Sequence, residues 1–94
     1  MMCIRMLTVR TMEGLHVGPC YDLSRRAKCY SCSITVKTRR GVYNVKSGLQ
    51  LLQAGLGPGE KAEFCFEGEK AETEREKMKV FIMQYFEIEE DREC

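Results

Sequence analysis

Ala62, Phe64 and Phe66 alternate with Glu63, Cys65 and Glu67, so an extended chain here has one apolar and one polar face. The same alternation runs through Cys32 to Thr38, where Ile34, Val36 and Thr38 share a side. It recurs more loosely through Ile4 to Arg10. Strands of this kind pair into a sheet that needs covering on one face only, and the cover has to come from helices. Pro19 suits a first helical turn, and Cys20, Leu23, Ala27 and Tyr30 follow it on one helical face. Arg39-Arg40-Gly41 supplies a hairpin turn into a strand from Val42 to Val45. Ser47 is a good N-cap for a short helix over Gly48 to Ala54, which Gly55, Gly57, Pro58 and Gly59 end. Met78, Phe81, Ile82 and Tyr85 mark the stripe of a last helix over 70–88, with acidic residues in its first turns, where the helix dipole favours them. The order β-α-β-β-α-β-α predicts an α+β open-faced sandwich, a four-stranded antiparallel sheet with its helices on one face.

A chain of 94 residues has the length of one core, so residues 1–94 are expected to form a single domain. With 44% hydrophobic and 31% charged residues it is neither disordered nor collagen-like. No apolar run approaches the roughly 18 residues a membrane span needs, and the first ten residues lack the long apolar segment of a signal peptide. The expectation is a soluble, cytoplasmic monomer without a membrane partner. The net charge of +1 conceals an asymmetry. Residues 1–50 hold nine Lys/Arg against two acidic residues, and residues 51–94 hold six against twelve. A basic half suits acidic partner proteins, whereas near-neutrality overall argues against nucleic acid.

The six cysteines are Cys3, Cys20, Cys29, Cys32, Cys65 and Cys94. Without a secretory signal, reduced thiols and no native disulfide are expected. Cys29 and Cys32 form one Cys-x-x-Cys, but no second such pair exists and His16 is the sole histidine. That leaves no four-ligand zinc set, so no metal site is expected. Cys65 should point away from the core, opposite to Phe64 and Phe66.

Gly14-Leu15-His16-Val17-Gly18-Pro19-Cys20 carries the chemistry. A histidine at a helix start sits beside backbone N–H groups that lack intrahelical acceptors, and these together with the helix dipole form an anion site. A neutral imidazole is a nucleophile. A phosphoryl group taken up by its ring would place its oxygens against the N–H groups of Val17 and Gly18.

In this setting the chain resembles the HPr family, the histidine-containing phosphocarriers of the bacterial phosphoenolpyruvate-dependent phosphotransferase system. The family pattern Gly-Leu/Ile-His-Ala/Thr-Arg-Pro-Ala is matched at Gly14, Leu15, His16 and Pro19 and, less closely, at Cys20. Its Val/Leu-Lys-Ser stretch is matched by Val45, Lys46 and Ser47. The resemblance runs from about residue 4 to 68, followed by a divergent last helix and a charged C-terminal tail. It implies a stoichiometric carrier rather than a turnover enzyme, with no cofactor. Enzyme I would phosphorylate His16 on Nδ1, and a sugar-specific or regulatory IIA protein would receive the group. By the same resemblance, Tyr21, Arg25 and Lys28 on the first helix and Leu49 and Leu52 on the second dock these partners. Ser47 occupies the family's regulatory serine position, the target of an HPr kinase/phosphorylase in bacteria that have one.

Two departures stand out. The family's arginine two residues after the histidine is Gly18 here, and Gly48 replaces a bulky apolar residue of the docking patch. Arg10, ending the first strand, is a candidate to reach across in the arginine's place. The departures leave open a regulatory or degenerate HPr-like binding module without efficient phosphotransfer. A thiol redox or metal protein built on Cys29 and Cys32 is a further alternative.

Overall fold

The computed structural model describes residues 1–88; the charged C-terminal tail and Cys94 lie outside the described residues. The elements are β1 (Met2–Val9), α1 (Val17–Ala27), β2 (Ser33–Thr38), β3 (Gly41–Asn44), α2 (Gly48–Gln53), β4 (Lys61–Glu67), α3 (Ala71–Ile82) and β5 (Phe86–Ile88). One antiparallel sheet runs in the order β3-β2-β4-β1-β5. As the alternation requires, Ile34, Val36, Ala62, Phe64 and Phe66 are buried, and they meet Cys20, Leu23 and Ala27 of α1, Leu51 of α2 and Met78 and Ile82 of α3. The other face of the sheet carries Arg5, Lys37, Lys61 and Glu63.

The α+β open-faced sandwich is observed, with one correction: the sheet has five strands, not four. The last helix stops at Ile82 because a turn follows, in which Gln84 N–H donates to Phe81 O and Tyr85 N–H to Ile82 O. Phe81, Ile82, Tyr85 and Phe86 all fit a helical stripe, so the local pattern alone would carry the helix on. Burying Phe86 edge-to-face on Phe64, with ring centroids 5.4 Å apart, requires an extended return that also pairs the free edge of β1.

Strand β1 alternates only loosely because Ile4 and Leu7, three residues apart, both face the core. An extra residue is accommodated as a bulge, with Met6 at φ 60°. A left-handed backbone costs an L-residue about 1–2 kcal/mol, and glycine escapes that cost at some loss of chain entropy. Met6 is exposed, so Met6→Gly should raise stability by about 0.5–1 kcal/mol, a gain of a few degrees in thermal midpoint. An unchanged or lower midpoint would show that the bulge is not strained at this residue.

The expectation of no native disulfide is overturned at one position. Cys3 and Cys65 stand opposite each other in the β1–β4 register, Cα atoms 4.1 Å apart, and are joined. Cys65 does point away from the core, as alternation requires. Its partner lies 62 positions away in sequence, a juxtaposition that only strand pairing creates.

Helix α3 is anchored through two polar residues that its apolar stripe does not reveal. Glu74 is buried and accepts hydrogen bonds from Ser31 N–H (3.0 Å), Cys32 N–H (3.0 Å) and the Ser31 hydroxyl. Arg75, also buried, donates to the Cys3 carbonyl at 3.0 Å and pairs with Glu76.

Candidate functional site

The turn before α1 is built on Gly14, which lies at φ 75°. A Cβ there would come within 2.8 Å of Leu56 O and 3.0 Å of Gly57 Cα, so only glycine permits this approach. Leu15 N–H donates to Leu56 O (2.8 Å) and the Thr11 hydroxyl to Gly14 O (2.7 Å). The opposing loop is fixed in turn. Arg40 donates to Ala54 O and Gly55 O and pairs with Glu60 at 2.9 Å, while Glu60 accepts from Gly57 N–H. These bonds, that from Arg40 first and that from Gly57 N–H next, hold the Glu60 carboxyl down at about 2. The loop bearing the histidine therefore rests on a pinned surface.

His16 is the N-cap residue of α1, extended at φ −86° and ψ −170°, and its carbonyl accepts from Cys20 N–H. Its side chain makes no capping hydrogen bond and is about half exposed. Nε2 lies 3.5 Å from the Glu13 carboxylate. Nδ1 lies on the Gly18 side, 3.9 Å from where a Gly18 Cβ would stand. The two ring nitrogens are thus differentiated, Nε2 beside the Glu13 carboxylate and Nδ1 on the side of the helix. In the first turn of α1 Pro19 has no N–H, and Val17 and Gly18 have theirs without intrahelical acceptors.

Several of the residues expected around this histidine are exposed on two helices that pack against each other. Val17, Tyr21, Leu49 and Leu52 are all exposed, on the paired helices α1 and α2. Leu49 and Leu52 thus stand outside the core, which α2 meets through Leu51. Tyr21 lies across the start of α2, so that a Cβ on Gly48 would run into its ring. The tyrosine occupies the space that a side chain at position 48 would fill. Arg25 and Lys28 are exposed, but Arg25 is paired with Asp22 at 3.1 Å. Asp22 also lies 3.7 Å from Arg26 and accepts from the Tyr85 hydroxyl at 2.9 Å. It links the outer side of α1 to the chain after α3, a role that the three- and four-residue spacings to Arg25 and Arg26 could have signalled.

Ser47 caps α2 as the sequence indicates, its hydroxyl accepting from Gln50 N–H at 3.1 Å. Arg10 does not reach the histidine: its guanidinium donates to Met83 O at 3.2 Å. The Cys-x-x-Cys is not joined. Burial, assisted by Glu74, pushes the Cys32 thiol up to about 11, which keeps it from acting as a thiolate at neutral pH. Cys20 is buried beneath the site and donates to Leu15 O, and burial likewise raises its thiol to about 11.

Residues 4–84 match the family described as the PTS HPr component phosphorylation site. The match reaches through α3, further than the sequence motifs alone extended. The phosphocarrier protein HPr of Borreliella burgdorferi is 30% identical over 77 residues, covering 82% of this chain and 90% of that protein. Among solved structures, the histidine-containing phosphocarrier protein of Mycoplasma superposes with a TM-score of 0.81 at 20% identity, covering 87% of this chain and 92% of its own. HPr from Thermoanaerobacter tengcongensis gives 0.79 at 21% identity, covering 89% and 93%. With the motif, the fold and these relatives in agreement, the chain belongs to the HPr family, the phosphocarrier proteins of the phosphotransferase system.

Proposed function

We propose that this protein, acting as a single domain, accepts a phosphoryl group from enzyme I on Nδ1 of His16 and passes it to a IIA protein. The observation that carries the reading is the half-exposed ring at the start of α1, with Nδ1 on the side of the helix's first turn. As the Nδ1 lone pair forms the bond to phosphorus, the bond from phosphorus to the donor breaks. The phosphoryl oxygens then meet the N–H groups of Val17 and Gly18 and the positive end of the helix dipole. The cycle leaves the chain unchanged, so it is a carrier and not a turnover enzyme. Partners in the cytoplasm dock on Tyr21, Leu49 and Leu52, with Arg25 and Lys28 facing their acidic residues. Phosphorylation of Ser47 by an HPr kinase/phosphorylase would place a dianion at the N-terminus of α2, an electrostatically favourable position beside that surface.

Gly18 supports a second reading, a regulatory module with slow phosphotransfer, because no arginine follows the histidine and Arg10 is engaged at Met83. The two readings separate in one experiment. The chain is labelled with enzyme I and phosphoenolpyruvate, purified, and mixed with a IIA protein. The carrier reading requires the label to move to IIA, and Leu49→Ser should slow that transfer about tenfold, since one buried apolar anchor is worth about 1.5 kcal/mol or more. Label that forms but does not move to any IIA protein would favour the regulatory module.

A further inference from the structure

The uncovered face of the sheet, remote from His16, holds a second concentration of reactive groups. Cys3, Cys65 and Glu63 offer donor atoms that all lie within 4.8 Å of one another. They open into a cavity of about 280 Å³ that is also lined by Arg5, Thr35 and Lys37. Register places the two cysteines face to face, and Glu63 stands two residues before Cys65 on the same side of β4. One oxygen of the Glu63 carboxylate accepts from Arg5 at 2.7 Å, so the carboxylate is oriented on the side of the two sulfurs.

We propose that Cys3, Cys65 and Glu63 form a binding site for a thiophilic divalent cation of the zinc type when the two cysteines are reduced. Two sulfurs and one carboxylate oxygen supply three positions of a tetrahedral shell, and the cavity leaves the fourth to water or an exogenous ligand. A small thiol reductant opens the Cys3–Cys65 bond by delivering two electrons and two protons. The cation then displaces both thiol protons to solvent and binds the thiolates. The resulting site carries one net negative charge, and Arg5 offsets it while orienting the carboxylate, as outer-shell partners of ligating carboxylates do. Oxidation of the thiolates by a small disulfide restores the Cys3–Cys65 bond and releases the ion, so occupancy follows the thiol redox state. Sequence spacing conceals this site, because its donors come from two distant strands rather than from a Cys-x-x-Cys.

The test titrates the reduced full chain, kept anaerobic, first with Co²⁺ and then with Zn²⁺ against a chromophoric chelator. One equivalent of Co²⁺ should give a thiolate charge-transfer band that Zn²⁺ removes. Cys65→Ser should abolish the band and weaken zinc binding about a hundredfold or more. Glu63→Gln should keep the band and weaken binding about tenfold. Cys29→Ser, altering an exposed thiol outside the cluster, should change nothing. The oxidised natural protein is a control free of any substitution and should not bind. No band in the reduced protein, a band that survives in Cys65→Ser, one lost in Cys29→Ser, or binding by the oxidised form would each overturn the proposal.

Discussion

Gly18→Arg should accelerate phosphoryl transfer from enzyme I to His16 by about ten- to a hundredfold. The charge-assisted hydrogen bond it would restore is worth about 1.5–3 kcal/mol, and each 1.4 kcal/mol is a factor of ten. Space permits the change, since a Cβ at Gly18 meets only the His16 ring, at 3.7 and 3.9 Å, and position 18 has no left-handed backbone to lose. Arg10, just after β1, does not already fill the role, because its guanidinium is held at Met83 O. A cation near a helix N-terminus loses a few tenths of a kcal/mol against the dipole, and ordering the side chain costs a similar amount or more, which sets the lower end of the range. Rates measured side by side on the natural protein and the variant decide the matter. Equal rates would mean that backbone donors alone suffice and that Gly18 is a tolerated replacement.

The largest effect on stability is expected at Glu74. Glu74→Ala leaves the N–H groups of Ser31 and Cys32 without their acceptor, and that of Cys32 is buried. The loss should be about 2–4 kcal/mol, lowering the thermal midpoint by more than about 10 °C. A drop of only a degree or two would mean that water replaces the carboxylate at little cost. The same contacts set the acid limb. Burial alone would push the Glu74 carboxyl up, but the hydrogen bonds from Ser31 and Cys32 outweigh it and hold the group at about 2, below its ordinary 4.5. A depressed carboxyl stabilises the fold fully above about pH 4.5 and ceases to do so as pH falls through 2. Glu60, also held at about 2, adds to this limb. Denaturant unfolding between pH 5 and 2 should show stability falling with pH, less steeply in Glu74→Gln.

What the sequence revealed and what it hid divide along a physical line. Local rules were sufficient for α1, α2 and β4, where periodicity, the Ser47 cap and glycine punctuation act within a few residues. The open-faced sandwich followed because one-sided strands admit few other partners. The features that escaped depend on contacts between distant segments. Residues 83–88 continue a helical pattern locally, yet the unpaired edge of β1 and the face of Phe64 draw Phe86 into a fifth strand. The local pattern around Glu74 and Arg75 shows only charged residues early in a helix, and the approach of Ser31 and of the Cys3 carbonyl gives them their partners. Cys3 and Cys65 were two unrelated thiols until the β1–β4 register set them opposite each other. At the candidate site, His16 and its helix start were readable because both belong to one short segment. That Arg10 turns to Met83, and that Tyr21 covers Gly48, were not, since each depends on how elements pack.

The central claim is that His16 is the residue that carries phosphate. Its direct test is incubation of the natural protein and of His16→Ala with enzyme I and phosphoenolpyruvate, followed by intact-mass measurement without acid, because phosphohistidine is acid-labile. The site is on the surface, so the variant should remain folded. The account predicts one phosphoryl group on the natural protein, lost on brief acid treatment, and none on His16→Ala. Acid-labile phosphate undiminished in the variant, or none on the natural protein, would contradict it.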